Sequence, residues 1–279
     1  MADVIARARS FLFVPATRPE RFAKALDAGA DCVIVDLEDA VAPDQKATAR
    51  AQLAQSLPGF SRAQLARTLV RINPTGTPWH AQDLALVAEW VARGLAGAMT
   101  PKAESPAQLR AIGVALGPAA TLVPLIESLA GLDAVDVIAR TPQVRRLAFG
   151  HLDFQLDLGM RCEPEESELA SIRFALVAAS RRAQLPSPID GVTTDTGNAQ
   201  RLHKDVQRAR GFGFGGKLCI HPAQVAAVNE ALAPSAAELD WARRVVAGAE
   251  LHRGAAFSLD GRMVDLPVIR SAQRTLQAI

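Results

Sequence analysis

The chain has 279 residues, of which 49% are hydrophobic and 22% are charged, and its formal net charge is +2. This composition is typical of a globular protein and excludes an intrinsically disordered chain. A charge so close to neutral also excludes a global electrostatic field that would hold nucleic acid or an anionic membrane surface. The length fits one large domain or two ordinary ones.

The N-terminal segment MADVIARARS lacks the continuous apolar stretch of a secretion signal. No later segment approaches the roughly 18 apolar residues that a membrane helix needs. The 3 cysteines, Cys32, Cys162 and Cys219, are odd in number and have no metal-ligand spacing. We therefore expect a cytoplasmic protein with free thiols and no membrane partner.

Short apolar runs alternate with longer segments of helical period, which is the pattern of parallel βαβ units. The predicted strands are residues 11–14, 32–35, 69–72, 97–100, 121–126, 146–149, 187–190 and 217–220. The predicted helices are residues 19–28, 43–55, 79–92, 105–116, 129–139, 165–182, 196–210 and 222–232. Eight strand–helix units without a linker favour an α/β fold of the (β/α)₈ TIM barrel type over an open doubly wound sheet.

The C-terminal part of the chain is extra to a minimal barrel. Residues 1–234 are predicted to form the catalytic barrel domain, and residues 235–279 to form a helical lid extension. Within the extension we expect one helix, an irregular segment at residues 257–272 and a terminal helix.

Charged residues follow the predicted strands repeatedly. They are Asp36, Glu38, Asp39, Arg71, Lys102, Glu127 and Asp153. The strands of a parallel barrel all point the same way, so these side chains converge on one face, where barrel enzymes keep their active sites. Several carboxylates in one concave site repel each other unless cations compensate them. A divalent metal, with Arg71 and Lys102, is the simplest compensation.

Glu127 and Asp153 end adjacent predicted strands and are placed to share one ion. Because the set offers oxygen ligands and no His/Cys cluster, Mg²⁺ or Mn²⁺ suits it and zinc does not. The alternative is that such acids are helix N-caps or first-turn residues, which need no chemistry. This alternative is weaker for Glu127, since Ser128 directly after it is the better cap.

Several blocks of the sequence together resemble a known family. The blocks are RSFLFVPATRPERFAKALDAGADCVIVDLEDAVAPDQKATAR, VRINPTGTPWHAQDL, TPKAES, PLIESLAGL, LAFGHLDFQLDLG, GKLCIHPAQV and GRMVDLPVIRSAQRTL. Their order and content are similar to the citrate lyase β subunit-like (CitE-like) branch of the HpcH/HpaI aldolase family, over nearly the whole chain. The resemblance implies a (β/α)₈ barrel, a homotrimer or hexamer, and Mg²⁺-dependent cleavage or formation of a carbon–carbon bond in a 3-hydroxyacyl thioester.

The resemblance also implies roles for individual residues. Glu127 and Asp153 would ligate Mg²⁺, with Mn²⁺ as an alternative. Arg71 would contact the substrate carboxylate or thioester oxygen and stabilise the enolate. Asp265 would be a lid residue, donated to a neighbouring subunit's site, that acts as acid or base at the acyl α-carbon. The amides around Gly150, His151 and Leu152 would hold the carboxylate of a 2-oxo acid.

Other residues are expected to support the site. Asp36, Glu38, Asp39 and Lys102 would stand behind the metal ligands, where they hold waters and the neighbouring cations. Arg18, at the start of the first predicted helix, is a candidate contact for a coenzyme A phosphate.

This chain departs from the family pattern at one place. The family commonly has Gly-(Gly/Ala)-Glu-Asp where this chain has Gly150-His151-Leu152-Asp153. A charge is lost before the metal aspartate, and His151 either faces the substrate or only packs against the loop.

The leading expectation for the reaction is an acyl-CoA lyase that yields acetyl-CoA and pyruvate or glyoxylate from citramalyl-CoA or malyl-CoA. The alternatives are a citryl thioester, on coenzyme A or on an acyl carrier protein in a citrate lyase complex, and a non-catalytic regulator that binds acyl-CoA.

Overall fold

Parallel strands close into a barrel in the part of the chain that the computed structural model describes, residues 4–277. The strands are β1 (Ser10–Pro15), β2 (Cys32–Asp36), β3 (Thr68–Arg71), β4 (Gly97–Thr100), β5 (Thr121–Ile126), β6 (Ala148–Phe149), β7 (Ile189–Asp190) and β8 (Gly216–Cys219). Each strand pairs with the next in chain order, and β8 closes the barrel by pairing with β1 from Ser10–Lys217 to Leu12–Cys219. The predicted (β/α)₈ barrel is confirmed.

All the predicted strands form, but β6 and β7 begin two residues later than their predicted starts at 146 and 187. Around β7 the cause is local. The carbonyl of Ser187 accepts a hydrogen bond from Arg146 Nε at 2.8 Å, and Pro188 has no N–H to give to a ladder. The two shortest strands are thus joined by few backbone bonds, among them Ile189 N to the Leu147 carbonyl at 2.9 Å, and the Arg146 side chain adds a further link.

Helices precede, connect and follow the strands of the barrel. They are α1 (Val4–Arg7), α2 (Phe22–Asp27), α3 (Lys46–Ser56), α4 (Arg62–Leu65), α5 (His80–Val91), α6 (Pro106–Leu116), α7 (Leu129–Asp133), α8 (Val135–Ala139), α9 (His151–Leu158), α10 (Ala170–Arg182), α11 (Ala199–Phe212) and α12 (Val225–Leu232). Ser105 caps α6 by accepting from Gln108 N at 3.4 Å, with Pro106 in the first position.

The sequence prediction missed α1, α4 and α9. The last of these matters because Asp153 lies in its first turn. Only His151 and Phe154 of α9 are buried, so the segment has no apolar stripe of helical period to reveal it. Gly159, in the left-handed region at φ 64°, ends the helix.

The interior of the barrel is filled by alternate residues of the strands. Phe11, Cys32, Ile34, Leu69, Met99, Val123, Leu125, Ala148, Ile189 and Leu218 form one buried cluster. The alternation that places Cys32 and Ile34 inside continues to Asp36 at the end of β2, and from Leu69 it continues to Arg71. The period of the strands thus brings polar side chains to the mouth of the barrel.

The chain divides into two compact units, with the boundary between Asn229 and Glu230. After α12, the second unit has α13 (Ala236–Leu251), β9 (Phe257–Leu259), β10 (Arg262–Val264) and α14 (Leu266–Gln277). It has its own apolar core, which includes Val245, Val264 and Ile269.

The prediction of an irregular segment at 257–272 was wrong. β9 and β10 form an antiparallel hairpin around Asp260 and Gly261, which both have positive φ, 51° and 74°. An Asp-Gly pair is a strong hairpin signal, and the sequence therefore carried the information. No helix among residues 4–277 is both long enough and apolar enough to cross a lipid bilayer.

Candidate active site

A cavity of about 400 Å³ opens at the carboxyl ends of the barrel strands. Its floor and sides include apolar residues such as Phe13, Leu125 and Leu218. Its charged and polar side chains are Asp36, Asp39, Arg71, Glu127, His151 and Asp153. The structure therefore brings to one cavity five of the seven charges that the sequence analysis named, all except Glu38 and Lys102.

Arg71 ends β3 and is held by Asp36 at the end of β2. Its Nε donates to Asp36 Oδ1 at 2.7 Å and its Nη2 to Asp36 Oδ2 at 2.6 Å, a bidentate pair. The guanidinium also lies over the ring of Phe13, 4.8 Å from its centre. Burial opposes the charge, but Asp36 outweighs it and raises the pKa of Arg71. Arg71 is a fixed, permanent cation.

The remaining donor of Arg71 faces two more acids. Nη1 donates to Asp39 Oδ2 at 3.1 Å and lies 2.9 Å from Glu38 Oε2. The second contact is at ion-pair distance without hydrogen-bond geometry, since Glu38 Oε2 has no hydrogen-bond partner within residues 4–277. Burial raises the pKa of Glu38 to about 8. Asp39, by contrast, is exposed.

The loop after β2 is fixed from behind. Asp36 accepts from the backbone N–H groups of Glu38 at 2.9 Å and Ala40 at 3.1 Å. The buried ammonium of Lys46 donates to the carbonyls of Leu37 and Glu38, both at 2.8 Å. These bonds hold the acids of this loop in place.

Glu127 follows β5 and is not a helix cap, because Ser128 Oγ accepts the N–H of Gly131 at 3.2 Å and caps α7. Glu127 Oε1 accepts the backbone N–H of Lys102 at 2.7 Å. Its Oε2 is buried and has no hydrogen-bond partner among the described residues. Burial, which outweighs the Lys102 bond, raises the pKa of Glu127 to about 7, and the negative charge of Asp153 acts in the same direction.

Asp153 is half-buried and lines the same cavity as Glu127. Burial and the charge of Asp39 raise its pKa. No group of three or more His, Cys, Asp or Glu side chains between residues 4 and 277 is arranged to hold a metal. Two carboxylates with positions open to water and substrate are, however, the usual Mg²⁺ arrangement. A bound Mg²⁺ would give the unpaired Oε2 of Glu127 a partner, and it would compensate the excess of negative side chains in the cavity.

His151 begins α9 and is buried, at 4% exposure. Burial lowers the pKa of its imidazole. His151 and Leu152 line the 400 Å³ cavity and also a neighbouring one of about 260 Å³. The structure therefore brings both predicted residues, with Gly150, to the cavity wall.

Sequence reasoning missed a second set of buried charges near this wall, which we call the outer cluster. It consists of Glu166, Arg173, Asp190, Arg201, Asp205, Arg208 and Lys217. Asp190 and Lys217 alternate with the interior residues Ile189 and Leu218, so they point outward, beneath the helices. The sequence held one sign of this cluster, because Asp190 is a charged residue at the end of a predicted strand.

Three further predicted residues make contacts of their own. Arg18 is exposed and its Nε pairs with Glu20 at 2.6 Å. The side chain of Lys102 is exposed, and its backbone, at φ 45°, is what reaches Glu127. Asp265 precedes α14, and its Oδ1 accepts the N–H of Val268 at 3.4 Å.

A model of the family described as HpcH/HpaI aldolase/citrate lyase matches residues 9–222, a span that contains every strand of the barrel. The chain belongs to this family. The predicted membership is confirmed, and the relatives place the chain in its CitE-like part.

Two curated relatives of the family are similar over nearly their whole length. A citrate lyase subunit beta-like protein from Mycobacterium tuberculosis is 38% identical over 274 residues, which cover 96% of this chain and 94% of that protein. A (3S)-malyl-CoA thioesterase from Cereibacter sphaeroides is 34% identical over 272 residues, which cover 96% and 93%.

Solved structures of the family agree with the fold. A crystal structure of CitE from Mycobacterium tuberculosis, in complex with magnesium, acetoacetate and coenzyme A, has a TM-score of 0.84 at 34% identity and covers 98% of both chains. RipC from Yersinia pestis has a TM-score of 0.71 at 32% identity and covers 84% of this chain and 99% of its own.

Proposed function

We propose that this chain is a Mg²⁺-dependent carbon–carbon lyase that acts on a 3-hydroxyacyl-CoA such as malyl-CoA or citramalyl-CoA. The observation that carries the proposal is that the buried Glu127 and the half-buried Asp153 line one cavity in the barrel mouth, and that Oε2 of Glu127 has no hydrogen-bond partner within residues 4–277. The CitE structure that binds magnesium, acetoacetate and coenzyme A supports the ligand classes.

Glu127 and Asp153 are the proposed ligands of Mg²⁺, and Mn²⁺ fits the same oxygen atoms. The bound ion would supply Lewis-acid polarisation of the substrate's carboxylate and hydroxyl oxygens. The backbone amides of Gly150, His151 and Leu152 are the proposed donors to the carboxylate of the 2-oxo acid.

In the cleavage direction, a base removes the hydroxyl proton, the bond between the hydroxyl-bearing carbon and the thioester α-carbon breaks, and its electron pair remains on the thioester as an enolate. Arg71, held rigidly by Asp36, is placed to stabilise that enolate. Asp265, contributed by a neighbouring subunit of a homotrimer or hexamer, then protonates the α-carbon. Closure of a lid over the site excludes water that would hydrolyse the thioester.

A second candidate is thioester hydrolysis, which the malyl-CoA thioesterase relative favours. In that reaction water attacks the thioester carbonyl, and free coenzyme A and malate leave. The citrate lyase β relatives favour a third substrate, a citryl thioester on coenzyme A or on an acyl carrier protein. These reactions differ in the bond that breaks, and their products separate them.

The test is a product assay with purified protein, Mg²⁺ and a panel of malyl-, citramalyl- and citryl-CoA, in parallel with EDTA. We expect acetyl-CoA and a 2-oxo acid from one ester, and no product after chelation. Asp265→Ala should lose turnover and retain Mn²⁺ binding. Release of free coenzyme A with malate would instead establish the hydrolase, and no turnover on any ester together with binding of a carrier protein would establish the subunit role.

A further inference from the structure

The turn between β6 and α9 is pressed against the metal-ligand candidate Glu127. Gly150 N donates to the carbonyl of Ile126 at 2.9 Å, which ties the turn to the end of β5. A Cβ added at Gly150 would lie 2.6 Å from both Cβ and Oε2 of Glu127. The backbone that leads into Asp153 and the side chain of Glu127 therefore touch, and a movement of one disturbs the other.

On the other side of this turn, the imidazole of His151 lies directly over Gly191, which follows β7. A Cβ added at Gly191 would lie 2.0 Å from His151 Nδ1 and 2.8 Å from its Cε1. The φ of Gly191 is outside the left-handed region, so its backbone accepts an L-residue. The three atoms nearest to this added Cβ all belong to the imidazole, so the ring is what leaves no room for a side chain here.

Behind the ring stands the carboxylate of Glu166, with Oε1 3.7 Å from His151 Nε2. Glu166 is itself fixed by ion pairs to Arg173, to Arg201 at 3.3 Å and to Arg208 at 2.9 Å. The ring of His151 is thus confined between a glycine backbone and a carboxylate that three arginines hold.

We propose that His151 is a positioning residue: confined between Gly191 and Glu166, it fixes the first turn of α9 and thereby the orientation of Asp153 towards Glu127. The inference rests on the proposed function only in that Glu127 and Asp153 hold a cation. It assigns His151 a role that acts through the metal site. The sequence alone had left two alternatives for this residue, contact with the substrate or simple packing against the loop.

Gly191→Ala tests the proposal by inserting a methyl group where the ring lies. The contact of 2.0 Å must open by roughly 1.5 Å to reach an ordinary separation. Because loss of an outer support typically costs 10–100-fold in metal affinity, we expect Mn²⁺ to bind about tenfold more weakly. The measurement is free Mn²⁺ by electron paramagnetic resonance, without substrate, at a temperature where circular dichroism shows the variant fully folded.

The matched control is Gly211→Ala in α11, where an added Cβ meets nothing within 4 Å and φ is ordinary. It should bind Mn²⁺ as the unaltered protein does. Glu127→Gln sets the level of no specific binding. A purely structural role of His151 would lower the melting temperature of the metal-free protein and leave the Mn²⁺ affinity of the folded fraction unchanged.

His151→Ala keeps the test decisive if Gly191→Ala does not fold, because it creates space instead of crowding. We expect it to weaken Mn²⁺ binding about tenfold, at the lower end of the range for lost outer supports. When His151→Ala and Gly191→Ala are combined, the methyl group added by the second substitution occupies the space vacated by the ring. The combined variant should therefore bind Mn²⁺ no more weakly than His151→Ala does.

The outcomes separate the two proposals. If the unaltered protein binds Mn²⁺ but Gly191→Ala and His151→Ala bind it equally well, the role of His151 is overturned and the metal site stands. If the unaltered protein binds no Mn²⁺, the metal site is overturned, and the role of His151 with it.

Discussion

Two largely buried clusters of charged side chains lie at the same end of the barrel, and they differ in their balance of acids and bases. The mouth cluster, defined as Asp36, Glu38, Asp39, Arg71, Glu127 and Asp153, has 5 acids and 1 base. The outer cluster has 3 acids, Glu166, Asp190 and Asp205, and 4 bases, Arg173, Arg201, Arg208 and Lys217.

The difference in charge balance between the two clusters is reflected in the pKa values of their acids. In the outer cluster, burial would raise the pKa of Asp190, but Lys217 and Arg173 overcome it and lower the value. In the mouth cluster, burial raises the pKa of Glu38 and Glu127, and the cation Arg71 does not offset it. Burial of charge by itself therefore does not mark a functional site. What marks a functional site is a buried charge that lacks its counter-ion.

The largest expected effect is on the unbalanced side. Glu127→Gln keeps the size of the side chain and removes a proposed ligand, so turnover should fall by roughly a hundredfold or more, the equivalent of several kcal/mol of lost metal catalysis. The free energy of unfolding of the metal-free protein should stay level or rise, because a buried, repelled charge is removed. Steady-state kinetics and urea unfolding measure the two quantities. A variant that kept full turnover would place the metal elsewhere.

The next effect concerns the outer cluster, where acids and bases are balanced, and it is an effect on the stability of the protein. Arg173→Met removes the buried guanidinium that pairs with both Glu166 and Asp190, and it leaves Glu166 with Arg201 and Arg208 and Asp190 with Lys217 as weaker compensation. The expected loss is about 3–5 kcal/mol in the free energy of unfolding. Arg182→Met, on the same helix, is the matched control, since Arg182 and Asp136 pair at the surface with 55% and 44% exposure. The control should cost about 0–1 kcal/mol. If both variants lost the same free energy of unfolding, the proposed difference between buried and exposed ion pairs would be refuted.

The two clusters also differ in how far the sequence predicts them. The mouth cluster follows from local patterns, because each acid directly follows an apolar run and parallel strands end on one face. The outer cluster joins residues far apart in the chain, such as Glu166 with Arg208 on α11, and no local pattern announces such a pair. Arg173 in a helix of mixed composition looks like any surface arginine until the helix is packed.

The same reasoning explains which other structural predictions from the sequence were correct and which were wrong. Buried strands such as β2 and β5 are continuous apolar runs, and they were found within a residue of their ends. α9 has no apolar stripe, and the hairpin of β9 and β10 has three-residue strands too short to show alternation. The direction in which His151 points was beyond any sequence pattern, since it depends on the absence of a side chain at Gly191.

The last expected effect, spread over several pH units, is the pH dependence of stability in the metal-free protein. The pKa of Glu127 is about 7 and that of Glu38 about 8 when folded, above the usual value of 4.5. A group whose pKa is raised by folding contributes stability below its unfolded pKa and loses that contribution as the pH rises through its folded value. The free energy of unfolding should therefore fall between pH 4.5 and 8, and Glu127→Gln should flatten the part below about 7.

Addition of Mg²⁺ should reverse this trend, because the ion binds the deprotonated carboxylate. Below pH 7 a proton competes for Glu127, so the affinity for the metal should fall roughly tenfold for each further pH unit. Thermal unfolding across this pH range, with and without Mg²⁺, measures both effects, and Arg182→Met provides a variant whose profile should run parallel to that of the unaltered protein. A profile that rose with pH in the absence of metal would mean that the mouth cluster is already balanced, and the contrast between the two clusters would be lost.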